Sequence, residues 1–296
     1  MLAVDGIGFT IAEGETYGLL GPNGAGKTTT ISMIVGILEC DSGEVTIDGR
    51  AHSTKSVATK SLIGFVPQDL ALYPDLTARE NLRFFGRLYG LRGSALKAKV
   101  DEVLEVVGLT DRAAEPSGKF SGGMMRRLNI GVGLLNRPRV LILDEPTAGV
   151  DPQSRNAILE SVGRLADEGV AVLFTTHYME EAERLCDRVG IVDRGKLVAE
   201  GTRRELVALV EEQGRIVLRV DGDPASAVRA LRTLPKIQQV STGDGAVELL
   251  VADAGERLPS ILQTTAQAGL TVRSVEVREP DLESVFLHLT GRALRD

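Results

Sequence analysis

Long apolar runs, cysteines, excess positive charge and aromatic side chains are all scarce in this 296-residue sequence. No run approaches the roughly 20 apolar residues needed to cross a bilayer. The first residues also lack the basic-then-apolar order of a signal peptide. Any membrane role is therefore expected to come through a partner chain. The two cysteines, Cys40 and Cys186, stand far apart and in no metal-ligand spacing, which fits reduced thiols of a cytosolic protein. Neither sits in a recognisable nucleophile setting. With 34 Lys and Arg against 41 Asp and Glu, the formal net charge of −7 gives no electrostatic footprint for nucleic acid. Aromatics make up 4% of the chain, and Phe84, Phe85 and Tyr89 concentrate much of that supply in one helical stretch.

Glycine, by contrast, is placed with purpose. Gly21-Pro22-Asn23-Gly24-Ala25-Gly26-Lys27-Thr28 follows the apolar run Tyr17 to Leu20 and precedes Thr29 to Val35, which has the spacing of a buried helix. A glycine-rich loop between strand and helix can curl so that successive N–H groups point inward at phosphate oxygens. The helix N-terminus adds partial positive charge there. Lys27 is expected to reach the β- and γ-phosphates, and Thr28 to offer its hydroxyl to Mg²⁺.

Residues 1 to 20 alternate apolar and polar positions, as in Ile7 to Ile11, and read as two strands of a hairpin leading into this loop. Further strand-like units follow at Gly43 to Gly49, ending in an Asp-Gly turn, and at Ile63 to Pro67, which leaves Gln68 on a loop. From about 77 to 136 the pattern is helical, with Leu82, Phe85, Leu88 and Tyr89 on one face and Val100, Val103, Leu104 and Val107 on another. Within it, Ser121-Gly122-Gly123 opens a helix. The apolar strand Val140 to Leu143 ends in Asp144 and Glu145, and Val170 to Thr176 ends at His177. Strands alternating with helices imply an α/β protein with a mostly parallel sheet, whose ligands bind at the carboxyl ends of the strands. Lys27, Gln68, Asp144, Glu145 and His177 all fall just beyond strand ends, which argues for one site. Glu180 and Glu181 suit the dipole of the helix after His177. His52 and His288 lack such company and read as structural or exposed. Beyond about 213 the order βαββαβ suggests a small α+β ferredoxin-like unit, followed by a last helix after Glu279-Pro280-Asp281.

On these residues the chain resembles the nucleotide-binding subunit of an ABC transporter over roughly 1–212, with a helical subdomain at about 77–136. Gly21 to Thr28 stands as Walker A, Gln68 as the Q-loop glutamine, and Ser121-Gly122-Gly123-Met124 as the signature. Val140 to Asp144 stands as Walker B with Glu145 after it, Gly149 to Asp151 as the D-loop, and His177 as the switch histidine. The tail from Glu279 to Gly291 is similar to the C-terminal domain of exporter ATPases of the antibiotic-resistance, daunorubicin kind, here 213–296.

The resemblance implies a P-loop NTPase core with an antiparallel β subdomain and a helical subdomain, binding ATP and Mg²⁺. Asn23, Gly24, Ala25, Gly26, Lys27, Thr28 and Thr29 would bind the nucleotide, with Thr28, Gln68 and Asp144 around the metal. Glu145 is the expected general base, with His177 and Gln68 sensing the γ-phosphate and water. Ser121, Gly122 and Gly123 would cover ATP held by a second copy, with Asp151 in the D-loop, so that two ATPs are sandwiched in a head-to-tail homodimer. The expected partner is a transmembrane permease, at the cytoplasmic face of the membrane.

Two departures stand out. Met124 replaces a common glutamine, and the aromatic that stacks on adenine in the family lies upstream of Ala3, so the first strand is expected to be missing and ATP to bind less tightly than in a longer chain. The other reading of such a cassette, a soluble ATPase acting on nucleic acid or the ribosome, lacks the basic surface, second cassette or coiled-coil insertion it usually needs. The C-terminal domain is expected to be a docking or dimerisation piece, or alternatively a ligand sensor.

Overall fold

The computed structural model describes residues 2–210, 214–221, 224–232, 234, 237–243, 246–251, 254–278 and 280–291. Its contacts divide the chain into two units, one running through Arg203 and one from Arg204.

The first unit opens with β1 (Thr16–Leu20), the glycine-rich loop and α1 (Lys27–Ile34). A two-stranded antiparallel ribbon follows, β2 (Val45–Ile47) and β3 (Arg50–His52), then α2 (Val57–Lys60) and β4 (Ile63–Val66). Asp48 and Gly49 at the ribbon's tip both have positive φ, 51° and 69°, as a two-residue hairpin turn requires. The helical block comprises α3 (Ala78–Leu88), α4 (Gly93–Val106) and α5 (Gly122–Gly133). The chain then alternates through β5 (Val140–Asp144), α6 (Pro152–Asp167), β6 (Ala171–Thr176), α7 (Met179–Leu185), β7 (Arg188–Asp193) and β8 (Lys196–Gly201), with α8 (Arg203–Val207) at the division.

The main sheet has the order β4-β5-β6-β1-β7-β8, parallel throughout except for the final β7–β8 pair. Register decides the site. Asp144 lies beside Thr175, and Leu20 lies beside Thr176, so the carboxyl ends of β1, β5 and β6 converge. Strand β6 is buried at all six positions and β1 at all five, as helices on both faces demand. Each large apolar side chain buried in this way contributes about 1.5–3 kcal/mol.

Helix α3 starts with a reciprocal capping box, Thr77 with Glu80, and the interior face carries Leu82 and Gly86. Two of the four residues assigned to its apolar face turn outward: Leu88 is 69% and Tyr89 47% exposed. On α4, Val100, Val103 and Leu104 are buried as the spacing predicts, with Val107 buried just after its end. The hairpin expected over residues 1–20 is replaced by a single strand. Ile7, Phe9 and Ile11 do pack inward against the sheet, which accounts for their alternation, but they form no ladder. A groove of about 950 Å³ runs between that segment, the end of α1 and β2.

The second unit contains β9 (Gly214–Asp221), α9 (Pro224–Leu231), β10 (Ile237–Gly243), β11 (Ala246–Val251), α10 (Ala254–Gln267), β12 (Thr271–Arg278) and α11 (Leu282–Thr290). Its antiparallel sheet has the order β10-β11-β9-β12, the ferredoxin-like arrangement of a βαββαβ chain. Ile216, Leu218, Val247 and Leu249 form its core with Leu231 and Ile261 from the two helices.

Candidate active site

The phosphate-binding loop is shaped by two glycines in the left-handed region. Gly24 has φ 77° and Gly26, the residue before α1, has φ 108°. At Gly26 a Cβ would also approach the Ala3 carbonyl to 2.6 Å, so no other residue fits. Asn23, Gly24 and Thr28 are exposed on the open side of the loop, Thr29 is half-buried, and Ala25 packs into the core.

Lys27 is 5% exposed. Its ammonium donates to the Gly21 carbonyl at 2.5 Å and the Pro22 carbonyl at 3.2 Å, and lies 3.3 Å from Glu145 Oε1. Burial pushes its pKa below the usual lysine value, opposed by the Glu145 and Asp144 carboxylates.

Glu145 has an unusual backbone conformation. Its φ is 46°, a left-handed conformation in a residue with a full side chain, held where surrounding contacts over-determine it. Thr175 supplies one such contact by accepting from the Glu145 N–H at 2.9 Å. The same hydroxyl donates to Asp144 Oδ1 at 2.7 Å, so one buried side chain sets both carboxylate residues. Glu145 Oε2 lies 3.2 Å from His177 Nδ1. Lys27, Asp144, Glu145 and His177 thus converge where β1, β5 and β6 end.

Other site residues named from the sequence lie outside this contact set. Gln68 is exposed, and its main-chain carbonyl accepts from Arg126 of α5 at 2.6 Å. Ser121 is exposed and caps α5, its hydroxyl accepting from the Met124 N–H at 3.3 Å. Gly122 is exposed beside it, and Gly123 is buried against α6, where any Cβ would overlap Ser154. Asp151 caps α6 through the Ser154 N–H at 2.9 Å. Among the described residues no hydrogen bond or ion pair joins Ser121 or Asp151 to Lys27 or Glu145. Met124 packs against the core.

The sequence reading missed Thr175, Arg126 and Glu181. Thr175 and Thr176 are polar side chains that end an otherwise apolar strand, as Asp144 and Glu145 do one strand away, and that shared placement is a usable signal. Glu181 was assigned to the helix dipole, yet it is 2% exposed and accepts from the Thr147 and Thr176 hydroxyls at 2.8 and 2.7 Å. Its position on the buried side of α7, opposite to exposed Glu180, is invisible in a run of two glutamates.

The aromatic cluster is only partly core. Phe85 packs against the interior, whereas Phe84 (37%) and Tyr73 (47%) are exposed and meet edge to face at 4.9 Å.

Known proteins resemble this chain over most of its length. Residues 4–148 match the ABC transporter family, and residues 201–290 match the C-terminal domain of DrrA1-3-like ATP-binding proteins. The chain is 46% identical to the linearmycin resistance ATP-binding protein LnrL of Bacillus subtilis, over 99% of this chain and 95% of that one. It is 40% identical to the Nod factor export ATP-binding protein I of Burkholderia lata, over 100% and 94%. To the daunorubicin resistance ATP-binding protein DrrA3 of Streptomyces coeruleorubidus it is 40% identical, over 98% and 91%. Among solved structures, cbiO1 of Clostridium perfringens, part of the cbiONQ complex, matches with a TM-score of 0.65 at 29% identity, covering 70% of this chain and 84% of that one. A dimeric post-hydrolysis cassette bound to ADP and phosphate matches with a TM-score of 0.61 at 27% identity, covering 68% and 90%. With the phosphate-binding loop, the paired carboxylates and the ferredoxin-like second unit in place, the chain belongs to the ATP-binding proteins of ABC transporters and is an ATP hydrolase.

Proposed function

We propose that this chain powers export of a small molecule, of the drug, antibiotic or lipid-like class, through a separately encoded membrane permease. The convergence of Lys27, Asp144, Glu145 and His177 at three strand ends is the observation that carries the hydrolytic part. The cargo class rests on the relatives named for linearmycin resistance, daunorubicin resistance and Nod factor export. A peripheral place at the cytoplasmic face, beside the permease, goes with this reading; no helix among the described residues is long and apolar enough to cross a membrane.

Phosphoryl transfer to water needs phosphate charge neutralised and a water aligned. Lys27 is held by two loop carbonyls and by Glu145. A triphosphate in the loop competes for that ammonium and releases Glu145, one of whose oxygens then accepts a proton from the attacking water. His177, touching the other oxygen, keeps the carboxylate turned toward the phosphate side. Hard oxygen donors suited to Mg²⁺ are present: the exposed Thr28 hydroxyl, Gln68, and Asp144, whose Oδ1 is tied down by Thr175. When bound, the ion neutralises charge on the β- and γ-phosphates.

Among the described residues no hydrogen bond or ion pair joins the signature residues Ser121, Gly122 and Gly123 to the phosphate loop of their own chain, and they open a twelve-residue helix. An exposed helix N-terminus favours an anion, and we assign it to ATP on a second copy, with Asp151 at the same interface. Domain limits of 1–212 and 213–296 go with this reading, the latter serving in docking or dimerisation. Glu145→Gln tests it. The full chain with Mg²⁺ and ATP should stop turning over, retain ATP and sediment as a dimer. Hydrolysis at the normal rate would remove Glu145 from the mechanism, and a monomer saturated with ATP would remove the sandwich.

A further inference from the structure

Glu181 is a carboxylate that the chemistry above leaves unused. An acid that served only the dipole of α7 would gain nothing by leaving water, since burying a charge is costly unless it is paired. Its Oε2 accepts from Thr147, two residues beyond Glu145, and from Thr176, one residue before His177. One buried oxygen therefore ties together the two loops whose side chains meet at 3.2 Å. Its Oε1 lies 3.3 Å from Arg155 Nε, in charge contact, yet neither atom has a hydrogen bond among the described residues. Arg155 belongs to the first turn of α6, the helix capped by Asp151 and packed at Ser154 against Gly123 of the signature. Its guanidinium lies 4.6 Å over the Tyr178 ring, and that ring lies 4.1 Å from the His177 ring. Contacts thus run without a gap from the signature helix, through the first turn of α6, to the hydrolytic pair of the same chain.

We propose that Glu181 is a positioning residue for hydrolysis: it fixes the spacing of the loops carrying Glu145 and His177, and through Arg155 makes that spacing follow the first turn of α6. The strained backbone at Glu145 needs such support, because a left-handed residue relaxes unless its neighbours hold it. The contact with Arg155 lacks a hydrogen bond and so has room to tighten when α6 shifts. A second chain pressing on Asp151 or Ser121 would deliver that shift, making hydrolysis depend on closure rather than on nucleotide alone.

The inference rests on Glu145 and His177 acting as proposed, and its test separates the two ideas. Steady-state ATP turnover, ATP affinity and thermal unfolding are measured on the full chain for Glu181→Gln, Arg155→Met, the double variant and Glu145→Gln. Glu181→Gln keeps an oxygen for both threonine hydroxyls but loses the charge facing Arg155. It should lower kcat by about ten- to a hundredfold, the range a small misplacement produces, with KM and ATP affinity within about twofold. Arg155→Met should lower kcat similarly, and the double variant should fall no further, because both changes cut the same link. Wild-type kcat in Glu181→Gln, or losses that multiply in the double variant, would overturn the proposal. So would a kcat loss that merely tracks a lowered Tm and weakened ATP binding. If Glu181→Gln does not fold, Thr147→Val with Arg155→Met gives an equivalent cycle read by the same criteria. Normal turnover in Glu145→Gln would instead sink the underlying catalytic reading.

Discussion

Replacing Thr175 with valine is the sharpest single perturbation of this site, because it changes shape little and chemistry completely. The hydroxyl is fully buried, accepts from the Glu145 N–H at 2.9 Å and donates to Asp144 Oδ1 at 2.7 Å. Valine leaves a buried N–H without a partner and a buried carboxylate oxygen without its donor. An unsatisfied buried group costs about 1–3 kcal/mol, and a hydrogen bond to a charged group is worth about 1.5–3 kcal/mol. The two share one side chain and do not simply add, so a loss of about 2–4 kcal/mol is expected. For a unit of this size that corresponds to a fall in Tm of roughly 4–16 °C. Turnover should fall further than stability implies. The same bond fixes the strained Glu145 backbone, and a misplaced general base costs up to about a hundredfold. Urea or thermal unfolding, with steady-state ATP turnover on the same preparations, measures both effects, and Thr175→Ser should recover most of each. Thr175→Val with stability within about 0.5 kcal/mol of the parent, the scatter of neutral substitutions, and full turnover would refute the reasoning.

Other expectations follow from the same contacts. Burial lowers the pKa of Lys27 below 10.5, so in the interval between its lowered value and 10.5 the unfolded chain holds a proton that the folded chain has released. Stability therefore rises with pH across that interval. Urea melts through the alkaline range should show a shallower rise for Lys27→Met than for the parent. Of the two free thiols, Cys40 should react readily with a thiol reagent in the native chain. Cys186 is half-buried like Cys40, but its Sγ packs against Gly18 and desolvation pushes its pKa up, so it should react more slowly than Cys40 until the chain unfolds. Exposed Phe84 and Tyr89 are expected to contact the permease, so Phe84→Ser with Tyr89→Ser should reduce copurification of the membrane partner and leave ATP binding by the isolated chain unchanged. Undiminished copurification would place the docking surface elsewhere.

Much of the site was legible because its pieces are local in sequence. Eight consecutive residues make the phosphate loop, and a pure apolar run points straight at Asp144 and Glu145. What holds those pieces is not local. Thr175 and Glu145 are 30 residues apart, Thr147 and Glu181 are 34 apart, and Arg126 reaches 58 residues back to Gln68. Such pairs depend on strand order and register, which periodicity does not encode. Pattern also misled in two places. Ile7, Phe9 and Ile11 alternate because one side packs on the sheet, yet alternation reports burial rather than pairing. In α3 the spacing of Leu82, Phe85, Leu88 and Tyr89 reads as one face, yet burial ends at Phe85 and the last two side chains meet water.

The central claim is that each ATP is gripped by Lys27 of one chain and completed by Ser121 of another. Lys27→Ala and Ser121→Arg chains, each inactive alone, are to be mixed and ATP turnover followed. A mixed pair holds one intact composite site, with its lysine from the Ser121→Arg chain and its serine from the Lys27→Ala chain, so turnover should reappear on mixing. A mixture no more active than its separate components would contradict the account.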